Sequence, residues 1–187
     1  MSKINYLAII LIFSLSQSSF GQMKKSYADE MVNLMISMKQ YTLDIANQMP
    51  EDKFEYKPSE SDELRTFAEH YKHVRNFMSV QLMFLNDIRP DLQTIVPKNT
   101  AYEKTVISKA RVIKDLSKEF DHVIDFLKNT DDKEMTGTYY FFFEKEPATR
   151  TRRLIIQALR DHIYHHRAQT LIYLRENNIA PVAYQRY

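Results

Sequence analysis

The stretch "RDHIYHHRAQTLIYLRENN", Arg160 to Asn178, places three of the chain's six histidines, His162, His165 and His166, within five positions. Two more, His70 and His73, lie in "FAEHYKHVRNF", and His122 stands apart. Imidazole titrates near neutral pH and is the commonest metal ligand, so this clustering suggests either a ligand set or general acid–base chemistry. The spacing decides which rings can meet. At 100° per residue, Ile155, Ala158, Leu159, His162, His166, Gln169 and Tyr173 fall within an arc of about 100° on one helix, so His162 and His166 point inward. His165 lies toward the edge of that arc and is the weaker ligand.

Burying a polar ring without a hydrogen bond costs on the order of 1 to 3 kcal/mol, and one metal ion would partner both inward rings. The segment reads His162-Ile-Tyr-His165-His166 and lacks the glutamate base of an HExxH helix, so the chain is not a zincin. By itself an i, i+4 histidine pair also fits rings hydrogen-bonded in a core. A third ligand would come from His70 or His73. The apolar arc of their helix, set by Leu64, Phe67, Tyr71, Val74, Met78 and Leu85, centres closer to His70, so periodicity alone points to His70.

The elements that must position these rings are helical. From Ser26 to Gln48, Met31, Leu34, Met35, Met38, Tyr41 and Ile45 recur at spacings of three and four. After the proline-containing stretch "MPEDKFEYKPSESDE", Ser61 or Asp62 can cap a second helix reaching about Asn86. Asp87 to Ala101 reads as a connection. A third helix spans about Tyr102 to Lys128 on a stripe of Val106, Ala110, Ile113, Leu116, Phe120, Val123 and Leu127, and a fourth about Ala148 to Glu176. All six prolines fall between these segments. With only Gly21 and Gly137, the chain has few sites for the positive φ angles of tight hairpins, which argues against an all-β fold. The expected fold is all-α, a four-helix bundle, with the aromatic stretch "TGTYYFFFEKE" as a short extended cover between helices three and four. The nine methionines read as core filler.

Residues 1–22 have the pattern of a secretory signal peptide, a lysine followed by the apolar run Tyr6 to Leu15 and then small and polar residues, with removal expected after about Gly21 or Gln22. The run is shorter than the roughly 20 residues of a spanning helix, so no stable membrane anchor is expected. Residues 23–187 then form one domain, exported and periplasmic. The chain has 187 residues, 44% apolar and 27% charged, with a formal charge of +2 and no cysteine. It is therefore neither a disulfide scaffold nor a lipoprotein acylated at cysteine. Lysine, arginine, aspartate and glutamate are interspersed without a basic block, which sets nucleic acid aside as a partner. A homodimer is left open.

Two segments together carry a family resemblance that spans the mature chain. "MPEDKFEYKPSESDELRTFAEHYKHV" is similar to a proline-containing approach to helix two with a histidine six residues after the phenylalanine. "HIYHHRAQTLIYLRENNIAP" is similar to an HxxxHRGQ segment followed by a tyrosine-leucine-arginine run. In both respects the chain resembles DinB-like proteins, whose superfamily also holds YfiT-like and thiol-dependent transferase bundles.

The resemblance implies a metal triad at His73, His162 and His166, in conflict with the periodicity that favours His70. The family's usual glycines are replaced by Ala168 and Asn178, and asparagine can also take the left-handed conformation that ends a helix. Three neutral imidazoles with open positions are a catalytic pattern, since structural zinc sites take four protein ligands. Zinc is the first candidate, with nickel or iron as alternatives. Gln169, Glu69 and Asp161 are candidates for orienting an imidazole, the two acids being otherwise ordinary solvated surface.

The expected function is a metal-dependent transferase or hydrolase acting on a small molecule. Export weighs against a cytosolic thiol as its substrate. The alternatives are a noncatalytic bundle that binds a metal or another ligand, and a structural module with mutually hydrogen-bonded histidines.

Overall fold

The computed structural model describes residues 26–140 and 149–184. The stretch read as a signal peptide, through Gln22, and residues 141–146 of the aromatic stretch lie outside them. Six α-helices account for most of the described chain: α1 Tyr27–Gln48, α2 Phe67–Leu85, α3 Leu92–Lys104, α4 Lys109–Lys128, α5 Asp132–Thr136 and α6 Arg152–Glu176. The fold is all-α, as its sequence suggests. Four long helices surround one core, α4 packing on both α1 and α2, and α6 on α2 and more lightly on α1. None of the described helices is long and apolar enough to cross a membrane.

Each long helix begins at a side-chain cap. Ser26 Oγ accepts from Asp29 N at 3.0 Å to start α1, with Asp29 and Glu30 favourably placed at the positive end of the helix dipole. The second helix starts later than Ser61 or Asp62. Thr66 and Glu69 form a reciprocal capping box, Glu69 N donating to Thr66 Oγ1 at 3.1 Å and Thr66 N to Glu69 Oε2 at 2.9 Å. Ser61 and Asp62 have Leu64 and Arg65 three residues on and cannot form such a box. They remain in an exposed turn.

The expected connection contains a helix. Asp91 caps α3, accepting from Gln93 N at 3.0 Å, and Pro97 sits inside it, so one of the six prolines does interrupt a helix. Proline removes an N–H from the ladder, a loss more easily borne on a helix that buries no residue. The expected third helix is split between Lys104 and Lys109, where Ser108 caps α4. Val106, expected in its stripe, is consequently 76% exposed. The fourth helix begins at Arg152 rather than Ala148, because Thr149–Thr151 pairs antiparallel with Thr138–Tyr140.

The helices that carry the clustered histidines, α2 and α6, stop in the same way. Asp87 and Asn178 both take φ 59° just beyond α2 and α6. Ile88 N and Ile179 N then reach back to Met83 O at 2.8 Å and Leu174 O at 2.9 Å, closing Schellman turns that glycine usually makes. Met35, Met38, Met49, Met78 and Met135 are completely buried, consistent with core filling.

A three-histidine candidate metal centre

Helices α2 and α6 face each other with two histidines apiece, one turn apart. His73, His162 and His166 form a group in which one ring nitrogen from each lies within 4.8 Å of the others, a spacing that can hold a metal ion. Their ring centroids are 5.1 Å apart for His73 and His162, 4.7 Å for His73 and His166, and 4.6 Å for His162 and His166. His166 is buried, whereas His73 and His162 are half-buried. The His162 ring stacks on Phe77 at 3.8 Å and 19°. His165 is exposed and turned away, as the helix arithmetic indicates.

His70 is the more buried of the two α2 histidines, yet it lies behind the group. Its Nδ1 is 3.0 Å from Nδ1 of His166, its Nε2 is 3.3 Å from the Tyr173 hydroxyl, and that hydroxyl donates to the Arg65 carbonyl at 3.0 Å. Periodicity points to His70 as the third member of the group, but the ring that comes together with the α6 pair is that of His73. His70 serves as a hydrogen-bonding partner of His166.

The His73 ring is held from another direction. Its Nδ1 is 2.9 Å from Glu103 Oε1 on α3, and Asn76 Nδ2 donates to the same oxygen at 3.1 Å. Arg65 lies 3.6 Å from Glu103 Oε2 through Nε, and its NH2 is 3.3 Å from His73 Nδ1. One nitrogen cannot both donate to Glu103 and accept from Arg65. The carboxylate is closer and the stronger acceptor, so it takes the imidazole proton and Arg65 acts as its counter-charge.

Burial, reinforced by neighbouring histidines and Arg65, lowers the pKa of His162 to about 4 and that of His166 to about 2. Burial lowers His70 to about 3, with Arg65 and His73 adding to it. These rings are therefore neutral at pH 7, the state a ligand requires. Burial pushes the Glu103 carboxyl up, but the His73 hydrogen bond and charge, Asn76 and Arg65 together outweigh it and hold Glu103 below its ordinary value.

The donor set fits a divalent ion. The Nδ1 atoms of His73 and His166 are engaged outward, leaving Nε2 of each for a ligand. His162 Nε2 is buried and has no hydrogen-bond partner. A buried ring nitrogen without a partner beside two other imidazoles is a costly arrangement unless something accepts its lone pair.

The three groups expected to orient an imidazole are placed otherwise. Gln169 Nε2 lies 2.8 Å from Nε2 of exposed His165. Glu69 is used in the capping box and pairs with Lys104 at 3.1 Å, and Asp161 pairs with Arg160 at 2.9 Å. The carboxylate that does meet a histidine of the group, Glu103, lies thirty positions beyond His73, near the end of α3.

A family profile described as the DinB superfamily matches residues 36–170. Among solved structures, a DinB-like protein from Bacillus cereus superposes with a TM-score of 0.65 at 13% identity, covering 83% of this chain and 95% of its own. A second DinB-like protein, YjoA from Bacillus subtilis, gives a TM-score of 0.57 at 19% identity, covering 84% and 99%. At such identities the structural likeness establishes the fold alone. No curated protein is a match for the chain.

Proposed function

This chain belongs to the DinB superfamily, and we propose that it binds one divalent metal ion through His73, His162 and His166 and performs transferase or hydrolase chemistry on a small molecule. The observation that carries this reading is the convergence of one ring nitrogen from each of the three histidines within 4.8 Å, with His162 also carrying a buried Nε2 that has no hydrogen-bond partner. Zinc is the first candidate, and nickel and iron also suit imidazole. Bound with positions open, the ion supplies Lewis-acid polarisation of a substrate donor atom.

The chain's own groups set the orientation of the ligands. With Nε2 of His166 committed to the ion, its proton sits on Nδ1 and is donated to Nδ1 of His70. His70 then carries its proton on Nε2 and donates to Tyr173, which donates to the Arg65 carbonyl. Each donor in this chain meets one acceptor, over separations of 3.0, 3.3 and 3.0 Å. His73 is fixed by donating to Glu103. Such outer partners set the tautomer of a ligand histidine and raise its basicity.

The N-terminal pattern supports removal of residues 1–22 and a periplasmic location. In that compartment a cytosolic low-molecular-weight thiol, as used by thiol-dependent transferases in the superfamily, is a poor co-substrate.

Metal analysis of protein purified without a histidine tag tests the centre. One equivalent of metal is expected, lost in His73→Ala, His162→Ala and His166→Ala and retained, more weakly held, in His70→Ala. Absence of metal under every loading condition would sink the reading. Metal kept by His73→Ala but lost by His70→Ala would reassign the third ligand. For the location, N-terminal sequencing of the periplasmic fraction should begin near Gln22 or Met23. An intact Met1 on cytoplasmic protein would reject export.

A further inference from the structure

A cavity of about 200 Å³ lies between α2 and α3 and opens beside His73. Its apolar wall comes from Phe77 and Val80 on α2 and from Leu92 and Val96 on α3. Val96 is 53% exposed, although it faces other apolar side chains. Phe77 also stacks on His162, so the apolar wall runs up to the metal-ligand group.

The charges in this cavity cancel locally. Arg65 and Glu103 are 3.6 Å apart, and Glu103 is further held by His73 and Asn76. The Asn76 amide nitrogen also donates to Asn99 O at 3.0 Å, its oxygen accepts from Arg75 at 3.0 Å, and the Thr100 hydroxyl donates to Val96 O at 3.0 Å. An anionic substrate would have to compete with Glu103 for Arg65, whereas an apolar one covers Val96 and Leu92 without breaking a polar contact.

We infer that this cavity is the substrate-arm subsite of the metal centre and that it takes the neutral alkyl or aryl arm of a small molecule whose donor atom reaches the metal. The inference rests on the metal reading above. At roughly 30 Å³ per group, the volume water occupies in the liquid, 200 Å³ holds about six methylene-sized groups.

The test uses the full mature chain loaded with cobalt(II), whose thiolate charge-transfer absorption reports donor binding at the metal. Ethanethiol, 1-hexanethiol and 6-mercaptohexanoate are titrated as probes. Each fully buried methylene is worth about fourfold in affinity, so incomplete burial of four more should still make hexanethiol at least about 30-fold tighter than ethanethiol. The same chain ending in a carboxylate, 6-mercaptohexanoate, should lose that gain. Val96→Glu, a change at an exposed position, should weaken hexanethiol about tenfold or more and leave ethanethiol unchanged.

Equal affinity for the two alkyl thiols, or preference for the carboxylate, would overturn the subsite while leaving the metal centre standing. An unchanged hexanethiol affinity in Val96→Glu would do the same. Failure to bind cobalt at all would instead remove the metal reading, and the subsite with it.

Discussion

The two sides of the histidine group are built differently. His166 is held by an uncharged partner, His70, itself backed by Tyr173, on the closely packed helices α2 and α6. His73 is held by a charged partner, Glu103, on a helix that buries no residue. Polar ties fasten that helix: Lys72 Nζ donates to Thr105 O at 2.9 Å, Lys104 pairs with Glu69 at 3.1 Å, and Asn76 reaches Asn99 O. The same task, holding Nδ1 of a histidine of the group, is done on one side by core packing and on the other by a polar lid that buries no residue. Burial shields the first side from solvent, whereas the second borders the cavity, where solvent can stand in for a lost partner.

The largest effect should come from removing a proposed ligand outright. His162→Ala or His166→Ala should weaken metal binding at least about a hundredfold, measured by competition with a chelator, because each removes one of three donors. Next is the buried support. His70→Phe removes the acceptor of His166 Nδ1 and should cost about 10- to 100-fold in metal affinity, with His70→Gln recovering part of it through its carbonyl. Glu103→Gln should cost less than tenfold, since the amide oxygen or water can still accept from His73. A greater loss in Glu103→Gln than in His70→Phe would reverse the comparison.

Hydrogen exchange sharpens it further. Amides of α3 should exchange faster than those in the middle of α2 and α6, because a helix without buried side chains opens locally at low cost. Equal protection would show that the polar ties act as firmly as a core.

The smallest effect concerns the far side of the lid, where Tyr102 of α3 donates to Asp115 Oδ2 at 2.9 Å and Arg111 donates to the same oxygen at 2.7 Å. Burial raises the Asp115 pKa, but Arg111 and Tyr102 outweigh it and hold the carboxyl below its ordinary 3.8. With the folded value below the unfolded one, this contribution is present above about pH 3.8 and fades as pH falls through the folded value. Asp115→Asn should cost less than about 1 kcal/mol in denaturant unfolding at pH 7, because Arg111 is exposed and its ion pair is screened. The difference between variant and parent should shrink as the pH falls below about 3.8. A difference that does not depend on pH would show that the pair is not the origin of the effect.

Local pattern made much of the fold legible. The stripe of α1, the inward pair His162 and His166, the outward His165 and the left-handed Asn178 follow from helix period and backbone preference, which involve only residues a few positions apart. The start of α2 is equally legible in Thr66-x-x-Glu69, a capping-box pattern that Ser61 and Asp62 lack. α3 was not legible in this way. Its stability comes from contacts with α2 and α4, it has no apolar stripe, and it contains a proline.

The amino-acid order therefore sets which rings share a face of their own helix. It also sets that the chain folds as helices around an apolar core. Whether His70 or His73 meets the α6 pair depends on the depth at which α2 and α6 face each other. Periodicity measures burial, and the deepest ring, His70, lies behind His166, while half-buried His73 comes within reach of both. Glu103 reaches His73 only because polar ties fold α3 back over α2. Those placements belong to the tertiary structure, since they arise between segments whose separation along the chain carries no periodic signal.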